Sequence, residues 1–175
     1  MLDRAGQYVG NYRLMRLLGR GGFAQVYLGE HRRLGTQAAI KLLATHLIDS
    51  DIEQFLVEAR TIARLEHSHI IRILDFDKAE DLPFLVMSYA PNGTLRQRYP
   101  RGTRLPLERV LAYLKQAAGA LQYAHDARVV HRDVKPENML LNRQDEMWLS
   151  DFGIAVVAHS SRSQGVEEII GTVPY

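Results

Sequence analysis

The sequence predicts an α+β chain in which a sheet-rich first half carrying one helix joins a helix-led second half near residue 90. Short apolar or alternating runs recur through residues 12–90, separated by glycine-rich or charged turns. A single helical pattern interrupts them over residues 50–66. Beyond Pro106 the apolar residues recur at helical spacing instead.

Taken in order, Tyr12–Leu18, Gln25–Gly29 and Gln37–Leu42 read as strands. Ser50-Asp51-Ile52-Glu53 has the form of a capping box, and Ile52, Phe55, Leu56, Ala59, Ile62 and Ala63 form one apolar face of the helix that follows. Two more strands are expected near Ile70–Phe76 and Phe84–Ser88. Ala90-Pro91-Asn92-Gly93 breaks the pattern, and the arginines at 96, 98, 101 and 104 then fall in a Gly/Pro-containing loop. They read as a solvated surface, with a docking site for acidic substrates as the functional alternative. Pro106 opens a long helix in which Leu107, Val110, Leu111, Leu114, Ala117, Ala118 and Leu121 repeat. Met139–Leu141 and Met147–Leu149 are short apolar pieces among loops. A ligand cleft between two such halves is the natural expectation.

Composition narrows the function classes. With 175 residues, 46% apolar and 24% charged, this is the make-up of a soluble globular domain. A net charge of +2 calls for no nucleic-acid or membrane partner. No cysteine is present, so a disulfide framework and a thiolate metal site are excluded. No stretch reaches the roughly 18 apolar residues of a membrane span, and the N-terminal residues lack a signal-peptide core. The expected location is the cytoplasm.

Four groups of residues carry chemistry. Leu18-Gly19-Arg20-Gly21-Gly22-Phe23-Ala24-Gln25-Val26 fits both a glycine-rich hairpin turn and a cradle of backbone N–H groups for phosphates. Lys41, ending Ala38-Ala39-Ile40-Lys41, is either a solvated strand end or a cation for nucleotide phosphates. The second role needs a carboxylate partner, and Glu58, on the flank of the following helix, is placed to supply it. The run His131-Arg132-Asp133-Val134-Lys135-Pro136-Glu137-Asn138 packs a carboxylate, cations and an amide into one short segment. Asp133 can orient an acceptor hydroxyl and take its proton, Lys135 can neutralise charge on a phosphoryl group, and Asn138 offers a hard oxygen ligand. Asp151-Phe152-Gly153 adds a second metal-binding carboxylate just after an apolar strand, with Phe152 anchored inward.

With these groups in this order and spacing, the sequence resembles a eukaryotic-type protein kinase, most closely the serine/threonine kinases of bacteria. The resemblance spans residues 12–175, with 1–11 as an N-terminal extension, an N-lobe at 12–90 and a partial C-lobe at 91–175. It implies a bilobal fold in which an antiparallel sheet with one helix is followed by an incomplete helical lobe. It implies ATP and Mg²⁺ as cofactors and protein Ser/Thr hydroxyls as acceptors. Asp133 becomes the catalytic base and Lys135 a contact to the transferring phosphate, while Asn138 and Asp151 hold the metal. Lys41, paired with Glu58, contacts the phosphates under Gly19 and Gly21. Leu18, Val26, Ala39 and Leu140 enclose adenine, Met87 is the gatekeeper, and Ser88–Ala90 form the hinge. Arg132 before the aspartate, with Ser160, Ser161 and Ser163 in the following loop, suggests autophosphorylation within a kinase–kinase dimer.

Two departures from the family pattern stand out. Ala24 replaces the third glycine of the loop. The chain also ends at Gly171-Thr172-Val173-Pro174-Tyr175, before the Ala/Ser-Pro-Glu motif and the later helices. The apolar face of the 107–125 helix is therefore expected to be partly exposed. A catalytically silent ATP-binding or scaffold fragment is the competing function, and a membrane anchor beyond residue 175 is compatible with the segment.

Overall fold

Side chains that alternate between apolar and polar, or between two apolar environments, favour extended backbone, and this rule builds the first half of the chain. The computed structural model describes residues 3–21, 24–43, 56–57, 59–79 and 82–152. The chain divides into two units, Met1–Ala59 with Arg72–Tyr89, and Arg60–Ile71 with Ala90–Tyr175.

In the first unit, strands β1 (Tyr8–Val9), β2 (Tyr12–Arg20), β3 (Ala24–His31), β4 (Gln37–Leu43), β5 (Ile73–Ala79) and β6 (Leu82–Ser88) form one sheet in the order β1-β2-β3-β4-β6-β5. Every neighbouring pair is antiparallel, as expected. Register assigns the two faces. Ile40 lies opposite Tyr27 and Val86, and Leu42 opposite Phe84. These residues join Val9, Leu14 and Ala38 in the apolar core of the unit. Fully burying a side chain such as Ile40 or Phe84 contributes about 1.5–3 kcal/mol. The intervening positions face the other way: Val26 pairs with Lys41, Lys41 with Leu85, and Ala39 with both Leu28 and Met87.

β1 has no periodicity to reveal it, being only two residues long. Its turn into β2 depends on Gly10, at φ +55°, where a Cβ would stand 2.9 Å from Phe84 Cζ. Helix α1 is present at the described positions 56–57 and 59–63. Ala59, Ile62 and Leu65 are buried, whereas Ala63, assigned to the apolar face from sequence, is exposed. The capping box at 50–53 lies outside the described residues.

The second unit contains α2 (Leu95–Arg98), α3 (Leu107–Asp126), a 3-10 turn (Pro136–Asn138) and the antiparallel pair β7 (Met139–Leu141) and β8 (Met147–Leu149). Ile70 makes a parallel bridge to Leu149, fixed by Ile71 N donating to Leu149 O at 3.0 Å and Leu149 N donating to His69 O at 2.8 Å. On another side of β8, Met147 N donates to Gln116 Oε1 of α3 at 2.7 Å.

Two expectations need correction here. The loop expected around arginines 96 and 98 contains α2, closed by a capping box between Thr94 and Gln97. The buried face of α3 is Tyr113, Ala117, Ala120 and Ala124, while Ala118 is exposed. Small alanines let the helix backbone approach β8, and the larger Leu107, Leu111 and Leu114 point away from that contact. They stand exposed, as expected of this helix. Among the described residues no helix is long and apolar enough to cross a membrane.

Candidate active site

The segment 131–138 is held by a closed set of hydrogen bonds. His131 is buried, and its Nδ1 lies 3.2 Å from Asp133 N while Nε2 lies 2.8 Å from Ser150 O. A backbone N–H only donates and a carbonyl only accepts, so Nδ1 is the acceptor and Nε2 carries the proton. Burial lowers the imidazole pKa, outweighing the opposing pull of the Ser150 carbonyl and of Asp151 and Asp133. His131 therefore stays neutral, which the bond from Asp133 N requires. Its ring packs against Phe152, with centroids 4.5 Å apart, and Phe152 is fully buried as anticipated.

Asp133 is the convergence point. Its Oδ2 accepts from Lys135 Nζ at 2.6 Å and from Asn138 Nδ2 at 3.0 Å. The same Nδ2 donates to the Asp133 carbonyl at 2.8 Å. Burial pushes the Asp133 carboxyl up, but the hydrogen bonds from Lys135 and Asn138 prevail and hold it below the usual carboxylate range. The Asn138 amide nitrogen faces Asp133, and the oxygen is the acceptor end of the same side chain. The 3-10 turn closes with Asn138 N donating to Lys135 O at 2.9 Å.

Asp151 is tied to this loop through its predecessor. Ser150 N and Ser150 Oγ donate to Asn138 O at 2.8 and 3.0 Å. Arg132 and Asp151 both adopt left-handed backbone, at φ +66° and +62°. Each sits between neighbours that are anchored, which is how such strain is held in place. Leu140, in β7, is half-buried and bridges Thr94, and Ala90 is buried.

In the first unit, register puts Val26, Ala39, Lys41 and Met87 on one face of the sheet, opposite the apolar core. Gly19 pairs with Val26 at the end of that ladder, after an irregularity between Leu17 and Gly19. Leu18 and Lys41 are half-buried. A Cβ built on Gly19 would meet nothing within 4 Å, and Gly19 is outside the left-handed region. The fold of the described residues does not itself demand glycine there. Gly21 N donates to Ala24 O at 2.8 Å. Ala24 opens β3 and pairs with Leu43, so alanine at the third glycine position is part of the sheet. Ser88 N is committed to Arg72 O at 3.0 Å. Glu58, Gly22, Gly153, the serines at 160, 161 and 163 and the Gly171-Thr172 pair lie outside the described residues.

Sequence reasoning missed the roles of His131 and Ser150, which have no signature beyond their places beside the two aspartates. It also missed that Arg96 Nε binds Glu137 Oε1 at 2.8 Å. The Thr94-x-x-Gln97 spacing of a capping box was the available signal for the helix that presents Arg96.

The family model described as protein kinase domain matches residues 12–175. The serine/threonine-protein kinase Pkn1 of Myxococcus xanthus is 37% identical over 97% of this chain and 25% of its own length. PrkC of Bacillus subtilis is 32% identical over 95% of the chain and 26% of its own length. The chain thus spans about a quarter of these curated relatives. Among solved structures, the PknI kinase domain of Mycobacterium tuberculosis matches with a TM-score of 0.72 at 34% identity, covering 89% of this chain and 64% of that one.

Proposed function

Because this chain belongs to the protein kinase domain family, we propose that it transfers the γ-phosphate of ATP to serine and threonine hydroxyls of proteins. The names of its bacterial relatives support the Ser/Thr choice. The observation that carries the reading is the convergence of Lys135 and Asn138 on the Asp133 carboxylate.

In this reading Asp133 is the base that orients the acceptor hydroxyl and takes its proton. Holding its pKa low keeps it ionised and ready to accept a hydrogen bond. Lys135 stands beside it to offset the charge of the phosphoryl group. Asn138 and Asp151 fit a hard cation: the Asn138 nitrogen is committed to Asp133, which leaves its oxygen as the end suited to a metal, and Asp151 follows a residue bonded to the Asn138 carbonyl. Among the described residues no group of three or more His, Cys, Asp or Glu is poised to hold a metal. The proposed cation is Mg²⁺, which keeps waters and takes phosphate oxygens as ligands, and which when bound offsets negative charge on the phosphates. From the second unit, Ala90 and Leu140 would contact the base. From the first, Gly19 and Gly21 would offer backbone N–H groups, Lys41 with Glu58 would hold phosphates, and Leu18, Val26, Ala39, Met87 and Ser88 would contact the base. The lobes are assigned to 12–90 and 91–175. Regulation through Arg132 and the serines at 160, 161 and 163, with one kinase phosphorylating another, belongs to the same proposal.

The test is phosphorylation of a generic Ser/Thr protein with ATP and Mg²⁺, comparing the natural protein with Asp133→Asn. Removing a general base is expected to cost about 10²–10⁴-fold in rate. Equal signal from both proteins would overturn the reading in favour of a silent nucleotide-binding module.

A further inference from the structure

The segment before β2 is stitched to the sheet by its backbone. Gly6 N donates to Leu14 O at 2.7 Å, Leu14 N to Gln7 O at 2.8 Å and Gln7 N to Arg4 O at 3.1 Å. Asp3 and Arg4 thereby reach the hydroxyl of Tyr27 in β3. Tyr27 is fully buried, and its oxygen is a polar atom that core packing alone would leave without a partner. Arg4 N donates to it at 3.0 Å, and Asp3 Oδ1, which also accepts from Ala5 N at 3.0 Å, lies 3.4 Å away. A carboxylate oxygen accepts, so the Tyr27 hydroxyl proton points to Asp3.

The same hydroxyl meets Gln25, two residues back on the same face of β3 and also buried. A guanidinium only donates, so the Gln25 amide oxygen faces Arg20 and accepts from Nη2 at 3.0 Å and Nε at 3.2 Å. Its nitrogen is thereby turned to Tyr27 Oη, 3.4 Å away. Arg20, Gln25, Tyr27 and Asp3 form one line of donors running from cation to carboxylate, in which each bond polarises the next. Arg20 and Gln25 are also the last register pair of β2 and β3 before the turn that Gly21 N closes on Ala24 O at 2.8 Å. Tyr27 and Gln25 stand on the core face of β3, whereas Val26 faces the other way beside Lys41. The line therefore acts on the glycine-rich turn from behind.

We propose that Tyr27 and Gln25 are positioning residues for nucleotide binding, through which the segment at Asp3–Arg4 holds Arg20 and the glycine-rich turn in the geometry that receives phosphates. The proposal rests on the phosphotransfer reading above and adds a remote control of its nucleotide site. The network ties down the strand ends beside Gly19 and Gly21, so releasing it adds the ordering of that backbone to the cost of binding phosphates.

The experiment uses the full natural protein with ATP and Mg²⁺. It is read as Kd by calorimetry, as KM and kcat on a generic Ser/Thr protein, and as amide exchange at Gly21. Tyr27→Phe keeps the ring in the core and removes the hydroxyl. It should raise Kd and KM for ATP roughly threefold to tenfold, leave kcat within about twofold and quicken exchange at Gly21. Gln25→Met should do the same, and combining the two should add little. Asp3 is exposed, and Asp3→Ala should raise Kd as well but lose its effect in the Tyr27→Phe background. A merely structural contribution to stability would not give that coupling. Unchanged Kd and Gly21 exchange in the single variants, with thermal melts showing them folded, would overturn the proposal. So would an Asp3→Ala effect that persists without the Tyr27 hydroxyl. If the natural protein binds ATP but transfers no phosphate, the phosphotransfer reading fails and the Kd cycle still decides the positioning role; if it binds no ATP, both fail.

Discussion

The described left-handed backbone positions of the first unit are all glycine: Gly6, Gly10 and Gly35. Those of the second include Arg128, Arg132, Asp145 and Asp151. A residue with a Cβ loses roughly 1–2 kcal/mol in that conformation, so neighbouring contacts must hold it there. The sheet unit meets its turns by choice of residue, whereas the loop at 131–138 and its neighbour at 150–152 meet their geometry by tertiary bonds. Arg132 lies between His131 and Asp133, which are bonded to each other, and Asp151 lies between bonded Ser150 and buried Phe152. One region is organised by packing of alternating side chains, the other by polar groups that each satisfy a backbone partner.

Deleting packing in the sheet should show the largest effect. Phe84→Ala removes a fully buried ring between Leu42 and Gly10. It should cost about 3–5 kcal/mol in denaturant unfolding. A loss under about 1 kcal/mol would show that the core face is not what holds the sheet. A polar deletion in the loop at 131–138 should cost less stability but disturb geometry more. His131→Phe keeps a ring against Phe152 and strips partners from Ser150 O and Asp133 N. Only the Ser150 bond is fully buried, and one unsatisfied buried group costs roughly 1–3 kcal/mol. Amide exchange at Asp133 should quicken with it, and unchanged exchange would remove His131 as the support of that loop.

The smallest effect concerns pH. His67 is held below its ordinary pKa by burial and then by His69, and it packs against Tyr123 with ring centroids 5.2 Å apart. The folded state thus binds a proton less readily than the unfolded chain. Stability from this group is complete above the ordinary imidazole range and declines as pH falls through it. The half-exposed ring keeps the effect small. Melting temperatures between pH 8 and pH 5 should fall slightly less steeply for His67→Gln, and parallel curves would assign the acid sensitivity elsewhere.

The same contrast explains what could be read from sequence. Strands β2, β3, β4 and β6 were legible because short apolar or alternating runs between turn residues mark extended backbone, whereas β5 was expected at Ile70–Phe76 and runs instead over Ile73–Ala79. β1 was not, since two residues hold no period. In α3, periodicity located the helix but misassigned much of its buried face, because leucines outweigh alanines on any hydrophobic scale while close helix–strand approach favours alanine. At the candidate site, residue types pointed to the proposed roles of Asp133, Lys135, Asn138 and Asp151. Their mutual geometry was illegible, because it depends on which nitrogen of His131 is protonated and on where Ser150 donates. The pairing of Arg96 with Glu137 joins residues distant in sequence, so no local pattern could disclose it.

Ser150 gives the last consequence. With its amide and hydroxyl on the Asn138 carbonyl and its own carbonyl on His131, it clasps the segments carrying Asn138 and Asp151 together, whichever ligand those two side chains serve in the proposed reading. A cation arriving there would find two oxygen-bearing side chains whose backbones are already in mutual registration, so its affinity would be less diminished by the entropy of gathering ligands from separate loops.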